Sequence, residues 1–545
     1  MTGTRRRVWI AVGSIFAIAI AVSLHARLAY ITGGLDTGAH HWLTASTVKY
    51  VENWIDDGVV TDLGLLLERP RSIETPDLAS REVYSSFLPG FAFAAYLAHR
   101  LAPDMELVTA IGLLGIFNQI LVCIVCGLIV HHAMSRQESG WIVGYFVSAA
   151  MLFYLLHPLP AYFHAMVYQG YQAALLPFGV AVLLEAKIRS HQGEAARLSC
   201  LLALVIAWLS FVDWVWIPFC LVLSVLRVLI PLRTADRRNP LARLTGAFLA
   251  IWFLPLALCG TYFMLLLWSG NLDALVSKAL MRAGMAAGAS PSFAEFYQRV
   301  FVENLGRYRL IAHATLVLGI LLLWRRPRDS AVLVCVLALS TCYLYAALLR
   351  NDVTTHSFST LRFFLPLAIA AVAIVPYRVM QLAVDRSPGR RGVVKSVMMA
   401  GVALFSGLYV FDLRDWPGIG EGWRGWYLIQ LRQERPPETL ELAIWLRANA
   451  RYEEVYFSRQ WAIQENPPMA VAISRKLVWH VESSLAHYVG TLPRGTVPRF
   501  VGSSMVRECI AGEPLVILSD RFLIYDGTGL TPAELDCLDR LPGKR

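Results

Sequence analysis

The sequence predicts an all-α polytopic membrane domain of about 11 transmembrane helices, with interfacial helices in its first outer loop, followed by a small C-terminal exported α/β domain. Three observations carry this reading. Hydrophobic residues make up 56% of the chain and charged ones 16%, with a mean hydropathy of +0.51, too apolar for a soluble enzyme of 545 residues. Runs of about 20 apolar residues, enough to cross a bilayer, recur from Val8 to Phe411 and then stop. The net charge of +10 is gathered mostly in short loops between those runs, where cations set orientation. With no RNA- or DNA-reading motif in the chain, no nucleic-acid partner is expected.

The first run, Val8 to Ala29, is too long for the apolar region of a signal peptide and lacks a small-residue cleavage site, so it reads as the first membrane helix. Further apolar segments lie near 87–101, 107–131, 141–157, 169–186, 198–212, 214–231, 244–268, 309–324, 330–349, 361–378 and 395–411. Segment 87–101 would reach only about 22 Å across a hydrocarbon core of about 30 Å. Charge decides its place. If it does not span, loops 1–7, 131–141, 186–198, 227–243, 324–330 and 377–396 are inside and hold 20 Lys/Arg in 75 residues. Loops 32–104, 157–168, 212–214, 269–308 and 350–361 then lie outside and hold 10 in 140. If it did span, 17 of the 20 inner cations would move outside, against the positive-inside rule. The expected topology therefore has eleven spans, the N-terminus inside and the C-terminus outside. Leu198–Leu232 is read as two short spans, because one 35-residue helix would be about 52 Å long and would carry Arg233, Arg237 and Arg238 outside. Asp213 then sits at their outer turn.

The boundary between the two domains falls at 412/413, and function is sought on the outer face, in loop 32–104, loop 269–308, two short polar loops and the tail. In the first of these, His41–Ile55 reads as an amphipathic helix with Trp42, Ala45, Val48, Val51, Trp54 and Ile55 on one side, and Phe87–Leu101 as its interfacial or re-entrant companion. Trp416, Trp423 and Trp426 read as an interfacial aromatic belt. Beyond Pro436-Pro437 the tail reads as a helix, Glu438–Asn449, with strand-like runs Glu454–Ser458 and Leu515–Ser519. Seven of nine cysteines lie in apolar spans as small hydrophobes, the Cys123/Cys126 pair among them. Cys509 and Cys537 share the exported tail, where an oxidising compartment permits a disulfide.

Ionisable and hydrogen-bonding residues crowd the outer ends of the spans. After span 1 comes Leu35-Asp36-Thr37-Gly38-Ala39-His40-His41-Trp42. Asp36 there suits a general base, a metal ligand or a helix N-cap, with the His40 and His41 imidazoles close behind. The second outer loop holds His164, Tyr168 and Gln169 but no carboxylate, and such residues also serve as interfacial anchors. Asp213, between two apolar runs, needs a partner or a wet cavity. His356 and Arg362 stand at the outer start of a late span, where the guanidinium suits a phosphate or simply snorkels to the surface. Asn118-Gln119 reads as interhelical hydrogen-bond glue.

An inner N-terminus, an acidic residue directly after span 1, a large first outer loop ending in Tyr84-Ser85-Ser86-Phe87-Leu88-Pro89-Gly90, a late Arg362-Phe363-Phe364-Leu365-Pro366 and a Trp445-Leu446-Arg447-Ala448-Asn449 helix before a strand together resemble the GT-C superfamily. These are integral-membrane glycosyltransferases that use polyprenyl-phosphate-linked sugars, such as protein O-mannosyltransferases and lipid A aminoarabinose transferases. Two departures stand out. The family usually has paired acids after span 1, whereas Asp36 is followed by Thr37 and the nearest pair is Asp56-Asp57; and the second outer loop lacks the acid often found there.

The resemblance implies an inverting transfer from a polyprenyl-phosphate donor to a glycan, lipid or protein acceptor at the outer face of a bilayer, expected to be a bacterial plasma membrane. Asp36 would be the catalytic base, and Tyr84, His40, His41, His164, Tyr168, Gln169, Asp213, His356 and Arg362 would bind substrate. A divalent metal on Asp36 and His40 is left open. The other readings are an envelope polysaccharide polymerase or ligase, which would lack the acidic first-loop motif, and a polar-solute transporter, which would carry midplane charges and inverted repeats.

Overall fold

The computed structural model of the protein describes residues 3–32, 41–68, 83–134, 140–190, 194–230, 249–286, 291–306, 308–386, 389, 391–411 and much of 442–540. Backbone in hydrocarbon must satisfy its N–H and C=O groups within its own segment, and the apolar runs accordingly form helices. In chain order these are α1 (Gly3–Thr32), α2 (His41–Asn53), α3 (Gly90–Leu101), α4 (Leu107–Met134), α5 (Gly140–Leu156), α6 (Pro158–Met166), α7 (Gly170–Ser190), α8 (Ala195–Val212), α9 (Trp216–Leu229), α10 (Ile251–Trp268), α11 (Leu272–Ala283), α12 (Phe293–Tyr297), α13 (Tyr308–Arg325), α14 (Ser330–Leu348), α15 (Arg350–Thr355), α16 (Ser359–Arg386) and α17 (Arg391–Phe411).

Among the described residues eight helices are long and apolar enough to cross a membrane: α1, α4, α7, α8, α10, α13, α14 and α16. The chain is an integral, multi-pass membrane protein. Helices α5 and α6 form a bent pair, turned by 54° at His157-Pro158, where the proline has no N–H to continue the ladder. Helix α9 and the Gly392–Leu404 part of α17 are shorter apolar helices. Burial sorts the spans into two shells. Helices α4, α7, α14 and α16 are largely enclosed by protein, whereas α1 and α13 expose Ile10, Ile15, Ile18, Leu318, Ile320 and Leu321, the pattern of helices that face lipid. Close approach is built in with glycine. A Cβ on Gly115 of α4 would lie 2.5 Å from the His164 carbonyl oxygen of α6, and one on Gly90 of α3 would lie 2.5 Å from that of Phe211 on α8.

Two expectations for the outer loops are corrected. Helix α2 is not amphipathic with one wet side, because Leu43, Thr44, Ala45, Ser46, Thr47, Val48, Lys49, Tyr50 and Val51 are all buried. Its polar side is satisfied by neighbours: Thr47 Oγ1 donates to the Tyr168 carbonyl at 2.6 Å and Asn53 Nδ2 to that of Leu67 at 2.8 Å. Likewise 157–168 is largely a buried helix, α6, capped by His157, instead of a polar loop. Helix α3 has 12 residues, about 18 Å at the α-helical rise, and ends before the start of α4.

In the tail, β1 (Glu454–Ser458), β2 (Leu477–Trp479), β3 (Val497–Gly502), β4 (Val516–Ser519) and β5 (Phe522–Asp526) form a sheet of order β2-β1-β3-β5-β4. Its first three strands are parallel and the last two antiparallel to their neighbours. Phe457, Phe500, Leu523 and Tyr525 pack with Leu535 and Leu538 of helix α18 (Pro532–Arg540). A disulfide joins Cys509 to Cys537, with Cα atoms 5.4 Å apart. The tryptophans at 416, 423 and 426 lie outside the described residues.

Candidate functional site

A cavity of about 200 Å³ opens where the loop before α3, the turn between α8 and α9, helix α11 and the end of α14 meet. Most of its wall is apolar, formed by Trp214, Ile217, Pro218, Leu275, Ala279, Leu348 and Leu349; its polar members are Ser85, Ser86, Tyr345, Lys278 and Arg282. An apolar chamber with two cationic residues in its wall suits an anion attached to a hydrocarbon tail.

Local structure places each group. Leu67 and Val83 pair as an isolated bridge, and the Tyr84 N–H donates to the Leu66 carbonyl at 2.7 Å, which pins the segment entering Ser85 and Ser86. The Ser86 carbonyl accepts from Trp214 Nε1 at 2.8 Å and from Arg282 Nη1 at 3.2 Å. Lys278 and Arg282 are one turn apart on α11, so their like charges repel. Arg282 is relieved by Asp352 of α15, with Nε 3.6 Å from Oδ1, and lies 4.8 Å from the Phe87 ring centroid. Lys278 lies 5.5 Å over the Tyr84 ring.

Behind Arg282 stands a buried polar network. Tyr171 Oη donates to Asp352 at 3.1 Å, and His356 Nε2 is 4.0 Å from the same carboxylate. Arg362 is inserted between the rings of Tyr171 and Tyr345, 4.6 and 4.0 Å from their centroids, and is ion-paired with Asp213. Asp213 Oδ1 also accepts from the Val215 N–H at 2.8 Å. Burial opposes the charged form of Arg282, but Tyr171 and Asp352 more than offset it and hold the guanidinium above its ordinary pKa. Burial pushes the His356 imidazole below its usual range, against the pull of Asp352, so at neutral pH it is uncharged. Burial also raises the Tyr84 phenol, against Arg282 and a hydrogen bond with Ser86, which keeps it protonated.

The structure brings Tyr84, Gln169, Asp213, His356 and Arg362 to this one region; Gln169 Nε2 donates to the Tyr84 hydroxyl at 3.3 Å. His164 and Tyr168 are elsewhere. His164 is buried against Tyr154 and the Gly115 carbonyl, each at 3.1 Å, and Tyr168 is held through its backbone by Thr44 and Thr47. Asp36 and His40 lie outside the described residues, as does the His41 side chain. Arg362 is paired with Asp213, and the arginine that lines the cavity is Arg282. Sequence reasoning missed Lys278, Arg282, Asp352, Tyr171 and Tyr345. The available signal was two cations four apart in an outer loop, and a second carboxylate, Asp352, close after an apolar run as Asp213 is. Among the described residues no three His, Cys, Asp or Glu side chains gather into a metal site, and the cavity's own charged lining residues are cationic.

No protein-family model and no curated protein matches the chain by sequence. Solved structures do match by shape. The oligosaccharyltransferase of Archaeoglobus fulgidus in its apo form is 10% identical, with a TM-score of 0.52 over 92% of this chain and 70% of that one. ArnT of Cupriavidus metallidurans bound to undecaprenyl phosphate is 13% identical, with a TM-score of 0.53 over 94% of this chain and 98% of that one. The archaeal enzyme in complex with zinc and sulfate aligns at 10% identity and a TM-score of 0.51, over 91% of this chain and 68% of that one. Both proteins are GT-C membrane glycosyltransferases, and this chain has their fold.

Proposed function

We propose that the protein is a glycosyltransferase that moves a sugar from a polyprenyl-phosphate carrier to an acceptor at the outer face of the membrane. The observation that carries this reading is the cavity itself, apolar along most of its wall and bearing Lys278 and Arg282. Its support from shape is the likeness to ArnT, seen with undecaprenyl phosphate, and to the archaeal transferase, seen with a dolichol-phosphate. Lys278 and Arg282 would hold the phosphate and stabilise the charge it gains as the anomeric C–O bond breaks. The apolar wall would take the first isoprene units. The Ser86 hydroxyl, in the cavity wall, would be a donor for the sugar or phosphate. Asp36 would accept the proton of the attacking hydroxyl, on the side opposite the departing phosphate, and the anomeric configuration would invert. Among the described residues no three His, Cys, Asp or Glu side chains gather to hold a metal.

The eight spans would become eleven crossings if the bent α5–α6 pair and the two shorter apolar helices also cross. Short loops rich in Lys and Arg put the N-terminus in the cytoplasm and the cavity and tail outside. The test is transfer of radiolabelled sugar from a panel of polyprenyl-phosphate donors by the purified protein. One donor should be turned over, and Arg282→Ala should lower kcat/KM on the order of 100-fold. An Arg282→Ala protein with undiminished turnover would sink the assignment of the phosphate site.

A further inference from the structure

Among the described groups at the cavity, two cations are opposed by one carboxylate, Asp352. Two cations line the wall, Lys278 and Arg282. Two neighbouring pairs add no net charge: Asp213 with Arg362 behind Tyr171 and Tyr345, and Glu68 with Lys49 behind Tyr84. His356 adds no charge at neutral pH. Asp352 sets one negative charge against Arg282, accepting meanwhile from Tyr171. Without it the wall would carry two positive charges; with it these named groups sum to one.

That sum matters because transfer changes the charge of the carrier. The donor is a phosphodiester with one negative charge. When the acceptor oxygen bonds to the anomeric carbon, the old C–O bond breaks with its electron pair on the phosphate oxygen, and the acceptor's proton passes to the base and then to water. The carrier is left as a phosphomonoester of charge about −1.5 to −2 at neutral pH. A site of two unopposed cations would hold this product more firmly than the substrate, and turnover would stall.

We infer that Asp352, acting through Arg282 and touching neither lipid nor sugar, sets the cavity's charge to match a monoanionic phosphodiester, so that the spent phosphomonoester carrier is released. The inference rests on the reading of this cavity as the phosphate site. Its quantitative signature follows from electrostatics, since a change in local potential acts on a dianion twice as strongly, in log affinity, as on a monoanion. The probes are undecaprenyl phosphate and its methyl ester, a monoester and a diester of one lipid, bound to the purified full-length protein at pH 8. Asp352→Asn should tighten the diester on the order of 10-fold and the monoester by the square of that factor, on the order of 100-fold, for a neighbouring charge at an effective dielectric near that of protein surfaces. Unchanged affinities, or equal weakening of both lipids, would overturn the inference and leave Asp352 a structural partner of Tyr171. Asp352→Glu, which keeps the charge, should preserve the wild-type ratio. The wild-type protein is informative without any variant: it should favour monoester over diester by no more than about tenfold, and a preference beyond 100-fold would equally overturn the idea. If Arg282→Ala binds both lipids as the wild type does, the phosphate-site reading itself has failed, an outcome separate from those above.

Discussion

Asp213 and Arg362 are 149 positions apart in the chain and form a buried ion pair at the back of the site. The need for such a partner was legible at Asp213, because a carboxylate between two apolar runs is costly alone; which cation answers it was not, since Arg362, Arg350 and Arg282 all lie in outer segments. Tertiary packing decides by inserting Arg362 between Tyr171 and Tyr345. This separates two kinds of aspartate by experiment. Asp213→Asn leaves a buried guanidinium without its counter-charge and should cost about 3–5 kcal/mol of stability, read as a fall in Tm in detergent. Asp36→Asn keeps size and capping oxygen but cannot take a proton, so it should fold normally and lose on the order of 100-fold in rate. Near-normal turnover by folded Asp36→Asn would return Asp36 to the status of a helix cap.

Helix α2 shows why periodicity locates an element without stating its surroundings. The spacing of Ala45, Val48, Val51 and Trp54 marks a helix correctly, yet the opposite face meets protein, with Lys49 on Glu68 and Asn53 on the Leu67 carbonyl. A polar stripe reads the same whether water or a folded neighbour supplies the hydrogen bonds. In the tail the runs at 454–458 and 515–519 were visible as strands, while Leu477–Trp479, with only three residues, has too little pattern to read. The Cys509–Cys537 bond closes a loop of 28 residues in sequence separation around the β4–β5 hairpin. On the chain-entropy account a loop of that size contributes about 3–4 kcal/mol. Cys509→Ser with Cys537→Ser should therefore melt the tail well below the wild type while the wild type in reductant approaches the variant; coincident melting of oxidised wild type and variant would show that the bond adds nothing.

For the whole molecule the decisive contact is between Ser86 and Trp214, whose indole N–H donates to the Ser86 carbonyl. Had 87–101 crossed the membrane alone, Ser86 and the α8–α9 turn would lie on opposite sides. Their hydrogen bond, with that from Arg282 to the same carbonyl, supports the topology in which the first loop, the α8–α9 turn and loop 269–308 share one face. Reporter fusions supply the check: a fusion after Arg545 should report outside and one near Arg233 inside, and the reverse pattern would overturn the orientation.

Sequence by itself determined that the chain spans a membrane many times and where its long apolar helices run, and it directed the search for function to one end of them. Those properties depend on local hydropathy and on the count of cations per loop, which are additive along the chain. Only the tertiary structure decided which charges meet. Arg282, Lys278, Asp352 and Tyr171 come from three separate segments, and nothing in the spacing of those segments encodes their contact. The partner of a buried charge is selected by packing and by the cost of leaving it alone, a property of the folded whole.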